Sequence, residues 1–378
     1  MRIGVISTYP PIECGIASYT KYLVDALRPL GNEVYVVSPF GAEGKMVFPV
    51  FHFADSDLPE KIFHRMNKFT PDIVHVQHEY GLFGDQPGLN FLPLLYKFKL
   101  AKVPLIITLH SVYEDFTEQQ KIILQGLLPA VDGIIVHEEY QKDAILKKIG
   151  KYNNIFVIPH GVRELHPIAQ SKEKIGLSKE DKVVLLAGYF RPVKRFERIV
   201  KIFPEIVKKE KKAVLIIASK RRTQDFTEEQ KTFFQLIDES PAINRIKILR
   251  GQFPQETFDT ILSAADVIPL PYLVGAQSGF MADCLALGRP VVVSPDVRAT
   301  RELVEKSNCG FVAKNDGEFI DSIVKILKDE ELAKKLSKNT LDYVRKNLSW
   351  NLIAQKTMDA YQKFIPSLST KAKIIHLA

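Results

Sequence analysis

Short apolar runs rich in Val and Ile alternate with amphipathic helical periods along nearly the whole chain, the pattern of parallel sheets built from βαβ units. In the first half, Arg2–Ser7, Glu33–Ser38, Ile73–Gln77, Leu105–Leu109, Gly133–Val136 and Ile155–Ile158 predict strands. Helices such as Ile16–Leu30 and Glu139–Lys148 fall between several of them, so six parallel strands make one doubly wound sheet. The polar stretch His166–Lys182, with Pro167 and the cap-like Ser171 and Ser178, predicts a linker. Beyond it, Val183–Ala187, Ala213–Ser219, Arg245–Arg250, Val267–Pro269, Val291–Ser294 and a short strand at Gly310–Ala313 repeat the alternation. The helices there are Phe196–Lys208, Glu228–Glu239, Pro254–Ala264 and Gly279–Leu287. Gly317–Lys328, Glu330–Arg345 and Trp350–Phe364 close the chain as amphipathic helices without intervening strands. The expected class is α/β: two Rossmann-like doubly wound domains facing across a cleft, with ligands at the carboxyl ends of the strands.

Composition narrows the function. At 378 residues with 46% hydrophobic and 25% charged positions, the chain reads as an ordinary soluble protein large enough for an enzyme. Cys14, Cys284 and Cys309 are too few and too scattered for a disulfide framework or a zinc site, so a reduced cytoplasm is expected. The start, Met1-Arg2-Ile3-Gly4-Val5, runs into a strand pattern and argues against a signal peptide. Lys97, Lys99 and Lys102 interrupt the apolar stretch Leu89–Leu109, which excludes a membrane span there. Residues 1–165 hold 16 Lys+Arg against 18 Asp+Glu, whereas 166–378 hold 36 against 26, so the basic excess lies wholly in the second half. Such asymmetry fits a half that binds a polyanionic small molecule. Lys220-Arg-Arg222 lacks interleaved aromatics or a nucleic-acid motif, and no nucleic-acid partner is expected.

Candidate chemistry gathers at the strand ends. Gly15 precedes the first helix, where it serves either as a plain turn or as a close approach for a ligand at free helix N–H groups. There is no G-x-G-x-x-G and no P-loop. Val74-His-Val-Gln-His-Glu-Tyr80 and Leu105-Ile-Ile-Thr-Leu-His-Ser111 carry histidines out of two strands; His75 and Gln77 share one face, and His78, Glu79 and His110 fall where strands become loops. Each histidine alone reads as either structural or part of a site. Gly188-Tyr-Phe-Arg-Pro-Val-Lys194 sets Arg191 and Lys194 at a strand's carboxyl end, as a phosphate clamp or a solvated basic turn. Gln277-Ser-Gly-Phe-Met281 opens a helix with small and polar residues, a natural anion site; Asp283 one turn on is either a ligand or a favourable dipole charge.

Together these segments resemble the family 4 retaining glycosyltransferases of the GT-B architecture over nearly the whole chain. The likeness rests on Tyr9-Pro-Pro-x-x-Cys-Gly-Ile16, His110, Val157-Ile-Pro-His-Gly-Val162, Gly188 to Lys194 and Asp283-Cys-Leu-Ala-Leu-Gly-Arg-Pro-Val-Val292, and on Ser349-Trp350, where the family's last helices cross back to the first domain. The resemblance implies an acceptor-binding domain 1–165, completed by 350–378, and a donor-binding domain 166–349. It places Arg191 and Lys194 on a diphosphate and Asp283 on the ribose. Gly15, Gln277, Ser278 and the amides of Gly279, Phe280 and Met281 meet phosphate or sugar, and His110 meets the transferred sugar. Tyr9, His78 and Glu79 are the acceptor-side candidates. The implied reaction is metal-independent retaining transfer, without added cofactor, of mannose or glucose from a GDP- or UDP-sugar to a sugar or lipid-linked acceptor.

The chain departs from the family pattern at Gly275, where the first glutamate of the usual pair would stand, and Asp283 is one methylene shorter than glutamate. Cys14, Tyr189 and His160 replace the commoner glycine, arginine and asparagine. A subgroup lacking the first glutamate is implied. A sugar-nucleotide epimerase of the same architecture and a non-catalytic nucleotide-sugar scaffold are the competing readings. Phe91, Leu92, Leu94, Leu95 and Phe98, interspersed with Lys97 and Lys99, suit either a buried helix or peripheral contact at the inner face of a membrane.

Overall fold

The computed structural model describes residues 1–84, 88–220, 227–251, 253–276 and 278–365. It forms two compact units, Met1–Gly161 with Trp350–Ala378, and Val162–Ser349.

In the first unit, β1 (Arg2–Ile6), β2 (Glu33–Pro39), β3 (Val47–Phe51), β4 (Ile73–His78), β5 (Leu105–Leu109), β6 (Gly133–Val136) and β7 (Ile155–Val157) make one sheet in the order β3-β2-β1-β4-β5-β6-β7. Every pairing is parallel, and the order reverses between β1 and β4, the switch point where doubly wound sheets bind ligands. β3 is a seventh strand beyond the six expected. Its Pro49 removes a ladder donor, which argues against a strand in sequence and is tolerated because β3 lies at the edge.

Period-two alternation sorts the strands into two faces. Val74, Val76, Leu105 and Ile107 join a core with Ile62, Phe91, Leu94, Leu95, Phe98 and Leu124. The run that suited either membrane contact or burial is therefore core at Phe91, Leu94, Leu95 and Phe98, with Leu92 partly buried against it. Ile3, Val5, Ile73, Ile106 and Ile135 form the opposite face beneath helices Gly15–Leu27 and Trp350–Gln362. His75, Gln77 and Thr108 share this second face and are buried, so polar groups in central strands must find partners there.

In the second unit, β8 (Lys182–Tyr189), β9 (Ala213–Lys220) and β10 (Ile246–Ile248) pair in the order β10-β9-β8, and β11 (Ile268–Leu270), β12 (Val291–Val293) and β13 (Gly310–Val312) pair in sequence. A parallel bridge between Val184 and Val267, with Leu185 N donating to Val267 O at 3.1 Å, joins the two triplets. β10 is shorter than the expected Arg245–Arg250. The segment expected as a linker packs as part of this unit: Ile168 N donates to Ser263 Oγ at 3.1 Å, and Lys172 pairs with Asp266 at 2.8 Å. Val162 and Ser349 pair at the unit's two ends. In the first unit the Trp350 indole lies over Gly161, where an added Cβ would sit 2.5 Å from the ring.

Candidate functional site

In the second unit the site forms at the ends of β8 and β11. Gly188, the penultimate residue of β8, takes a φ of 97°, a conformation that favours glycine. Arg191 follows in extended backbone and is exposed, and a short 3₁₀ turn, Pro192–Lys194, swings Lys194 back. The Lys194 ammonium lies 5.6 Å from the ring centre of Tyr272, 5.7 Å from Phe196 and 6.0 Å from Phe280, within cation–π range of all three. No carboxylate pairs with it among the described residues. Burial, reinforced by Arg191, pulls its pKa from 10.5 down to about 8. The site thus holds a desolvated cation with no carboxylate partner among the described residues, an arrangement that favours an incoming anion.

The helix Gly279–Ala286 begins beside this cation, since Phe280 contributes one of the three rings. Ser278 caps it: Ser278 Oγ accepts from Met281 N at 3.1 Å. That corrects one expectation, because the Met281 amide is satisfied inside the helix. The N–H groups of Gly279 and Phe280 have no acceptor within the helix and remain suited to an anion. Gln277 lies outside the described residues, as do Arg221 and Arg222.

Asp283, one turn on, is not isolated. Arg163 grips Asp259 with a two-pronged fork, Nη1 to Oδ2 at 2.7 Å and Nη2 to Oδ1 at 2.8 Å, and its Nη2 also donates to Asp283 Oδ1 at 2.9 Å. Gln255 Nε2 donates to Asp259 Oδ1 at 2.9 Å. Burial raises the Asp283 pKa to about 6 against the lowering influence of Arg163, and Asp259 adds a smaller upward push. Arg163 and Asp259 are residues that sequence reasoning missed: they lie 120 and 24 positions from Asp283, at no motif spacing. The rings of Tyr272 and Phe196 were likewise not foreseen.

In the first unit, His75, Gln77, Thr108, His110, His137 and Tyr361 form a connected polar cluster on the face beneath helix Trp350–Gln362. His75 Nδ1 lies 2.6 Å from Tyr361 Oη, and its Nε2 lies 2.7 Å from Thr108 Oγ1 and 3.1 Å from Gln77 Nε2. The Gln77 carbonyl Oε1 lies 2.8 Å from His110 Nε2, and Ile158 O lies 2.9 Å from His137 Nδ1. Carbonyls only accept, so those two ring nitrogens carry the protons. The other two, His110 Nδ1 and His137 Nε2, face each other at 3.4 Å. Tyr19 stands edge-on to His110, with ring centres 4.7 Å apart. Burial lowers the pKa of every imidazole here, to about 3 for His75 and His137 and well below the usual value for His110, so the cluster is neutral at physiological pH.

Both His110 nitrogens are thus turned toward neighbours in its own unit. His78 and Tyr9 are buried, His78 against Tyr80, Phe83 and Phe91, while Glu79 accepts from the Ser111 hydroxyl. Gly15 begins its helix without a side-chain cap and has open space where a Cβ would project. Among the described residues no group of three or more His, Cys, Asp or Glu is arranged to hold a metal ion, and no helix is long and apolar enough to cross a membrane.

Both units match known protein families. Residues 14–164 match the Glycosyltransferase Family 4 model, and residues 167–342 match the model for Glycosyl transferases group 1. An alpha-monoglucosyldiacylglycerol synthase of Acholeplasma laidlawii is 24% identical over 90% of this chain and 91% of its own length. Among solved structures, a glycosyltransferase from Rickettsia africae superposes with a TM-score of 0.76 at 17% identity, covering 97% of this chain and 99% of its own. Anabaena HepE in complex with UDP-glucose gives 0.74 at 15% identity, covering 96% and 100%. Two Rossmann-like domains, matched in chain order by the two halves of one enzyme architecture, identify the chain as a member of the GT-B glycosyltransferases, a retaining enzyme that moves a sugar from a nucleoside-diphosphate donor to an acceptor.

Proposed function

We propose that the second domain holds the donor, a hexose carried on UDP or GDP, and that the first domain receives a sugar or lipid-linked acceptor. The caged Lys194 ammonium carries this reading. A departing nucleoside diphosphate develops negative charge, and a preorganised cation with Arg191 and the Gly279 and Phe280 amides stabilises that charge as the glycosidic bond breaks. Asp283 takes the ribose hydroxyls. His110 serves the transferred sugar, with Gly15 at the opening of its helix, and Tyr9, His78 and Glu79 mark the acceptor side. The reaction needs no metal, and the leaving phosphate takes the acceptor's proton.

Glucose is favoured over mannose, because the Acholeplasma relative is named for glucosyl transfer to a diacylglycerol and the Anabaena structure holds UDP-glucose. The first of these also favours a lipid acceptor, met by the enzyme at the cytoplasmic face of a membrane. Leu100, 83% exposed, and Ile122, 59% exposed, support peripheral contact, since they project from the helices Leu92–Leu100 and Glu118–Leu127 near Lys102 and Lys121.

Thermal unfolding against UDP, GDP and ADP, with and without metal, tests the donor assignment. A ligand at 100 times its Kd stabilises by about 2.7 kcal/mol. Stabilisation by UDP or GDP, followed by metal-free transfer from the matching sugar nucleotide to diacylglycerol, is expected. No shift with any nucleotide in folded protein would overturn the site.

A further inference from the structure

We propose that Arg163 is a positioning residue for donor binding: it pins one oxygen of the Asp283 carboxylate and leaves the other to accept from the ribose hydroxyls. This rests on the assignment of Asp283 to the ribose. A carboxylate on a short side chain turns freely about its last bond and gains direction only from a partner. Arg163 supplies that partner from a fixed position, because its guanidinium is held by the bidentate fork to Asp259, itself steadied by Gln255. Asp283 Oδ1 accepts from Arg163 at 2.9 Å, and Oδ2 has no hydrogen-bond partner among the described residues. The side chains of Arg163 and Asp259 are 12% and 14% exposed, whereas that of Asp283 is 30% exposed, so the trio is buried at its base and open at Asp283.

The same contact opposes the burial that pushes the Asp283 carboxyl toward its protonated form. One guanidinium serves two carboxylates, so the fully ionised trio carries one excess negative charge. The charged groups acting on Asp283 are Arg163, which lowers its pKa, and Asp259, which raises it; burial raises it further, to about 6. Without Arg163 the buried carboxyl would keep its proton near neutrality. It would then be a donor at the place where the ribose needs an acceptor.

The test is calorimetric binding of UDP and GDP, and of their 2′-deoxy forms, from pH 5 to 8. The proteins are the unaltered chain, Arg163→Met, Arg163→Lys and Asp283→Asn. The unaltered chain should prefer the ribonucleotide and lose affinity as pH falls through about 6. Arg163→Met should weaken ribonucleotide binding at pH 7 by about tenfold or more, the scale of a lost charge-assisted hydrogen bond. It should also shift the pH midpoint upward and abolish the ribose preference. Arg163→Lys keeps the charge without the fork: it should restore the midpoint and only part of the affinity, and it stands in if the Met variant does not fold. Unchanged affinity, midpoint and ribose preference in the Arg163 variants, with binding weakened by Asp283→Asn, would overturn the positioning role and leave the ribose assignment standing. Unchanged binding by Asp283→Asn would remove the assignment itself.

Discussion

Replacing Lys194 with methionine should separate catalysis from stability. In the folded protein the ammonium is desolvated against three rings, and its pKa falls from 10.5 to about 8. A difference of that size corresponds to ~3 kcal/mol of folding free energy forgone at neutral pH. The sign follows from proton counts. Below pH 8 both folded and unfolded chains hold the proton and the full cost applies. Between about 8 and 10.5 only the unfolded chain holds it, so stability rises with pH across that window. Methionine fills the cage without charge. Lys194→Met should therefore stabilise the second domain at pH 7 by up to ~3 kcal/mol, raising Tm by roughly 6–12 °C for a domain of this size. It should also flatten the rise above pH 8. Transfer, by contrast, should fall by about 10²–10³-fold in kcat, the usual loss for one preorganised group facing developing charge. The assays are calorimetric unfolding from pH 7 to 10 and steady-state transfer. A further check is calorimetry near pH 8 in buffers of different ionisation enthalpy: a diphosphate raising the lysine's pKa should draw in up to about half a proton per site. A variant that melts lower than the parent and retains its kcat would refute both the unpaired-cation argument and the assignment to the leaving group.

Other expectations concern neighbouring features. Gly188→Ala puts a side chain at φ of 97° and a Cβ 3.0 Å from Lys194 Nζ, and should cost about 1–2 kcal/mol of stability with a larger loss of transfer, read from melts and initial rates. Trp350→Ala removes the indole lying over Gly161 and should destabilise the first unit by about 3–5 kcal/mol in urea titration, with nucleotide binding to the second unit unaltered. Because burial holds His110 neutral, its imidazole should contribute no titration limb to kcat/KM between pH 6 and 8, and imidazole nitrogen NMR should show a proton on Nε2; a protonated signal near pH 7 would contradict the cluster's geometry. Leu100→Ser with Ile122→Ser should lower co-flotation with anionic liposomes and spare UDP and GDP binding; equal flotation would remove the proposed membrane face.

The alternation of apolar runs determined the two parallel α/β halves, because side-chain period is a local property that any buried strand or amphipathic helix imposes on its own residues. It also placed Gly188, Lys194 and Gly279 at strand or helix ends, with Asp283 one turn into its helix, since breakers and caps act on their immediate neighbours. Tertiary structure decided what those groups do. The Arg163 links to Asp259 and Asp283 close over 96 and 120 residues, and the His75–Tyr361 contact over 286, separations at which no periodicity couples two positions. Which groups surround Lys194 and whether Pro49 could sit in a strand were likewise settled by the placement of distant segments, whereas the Met281 amide is closed locally, by the Ser278 cap three residues before it. Local preference sets where a side chain begins, and the packing of distant segments sets its partners, and with them its charge and its freedom to meet a substrate.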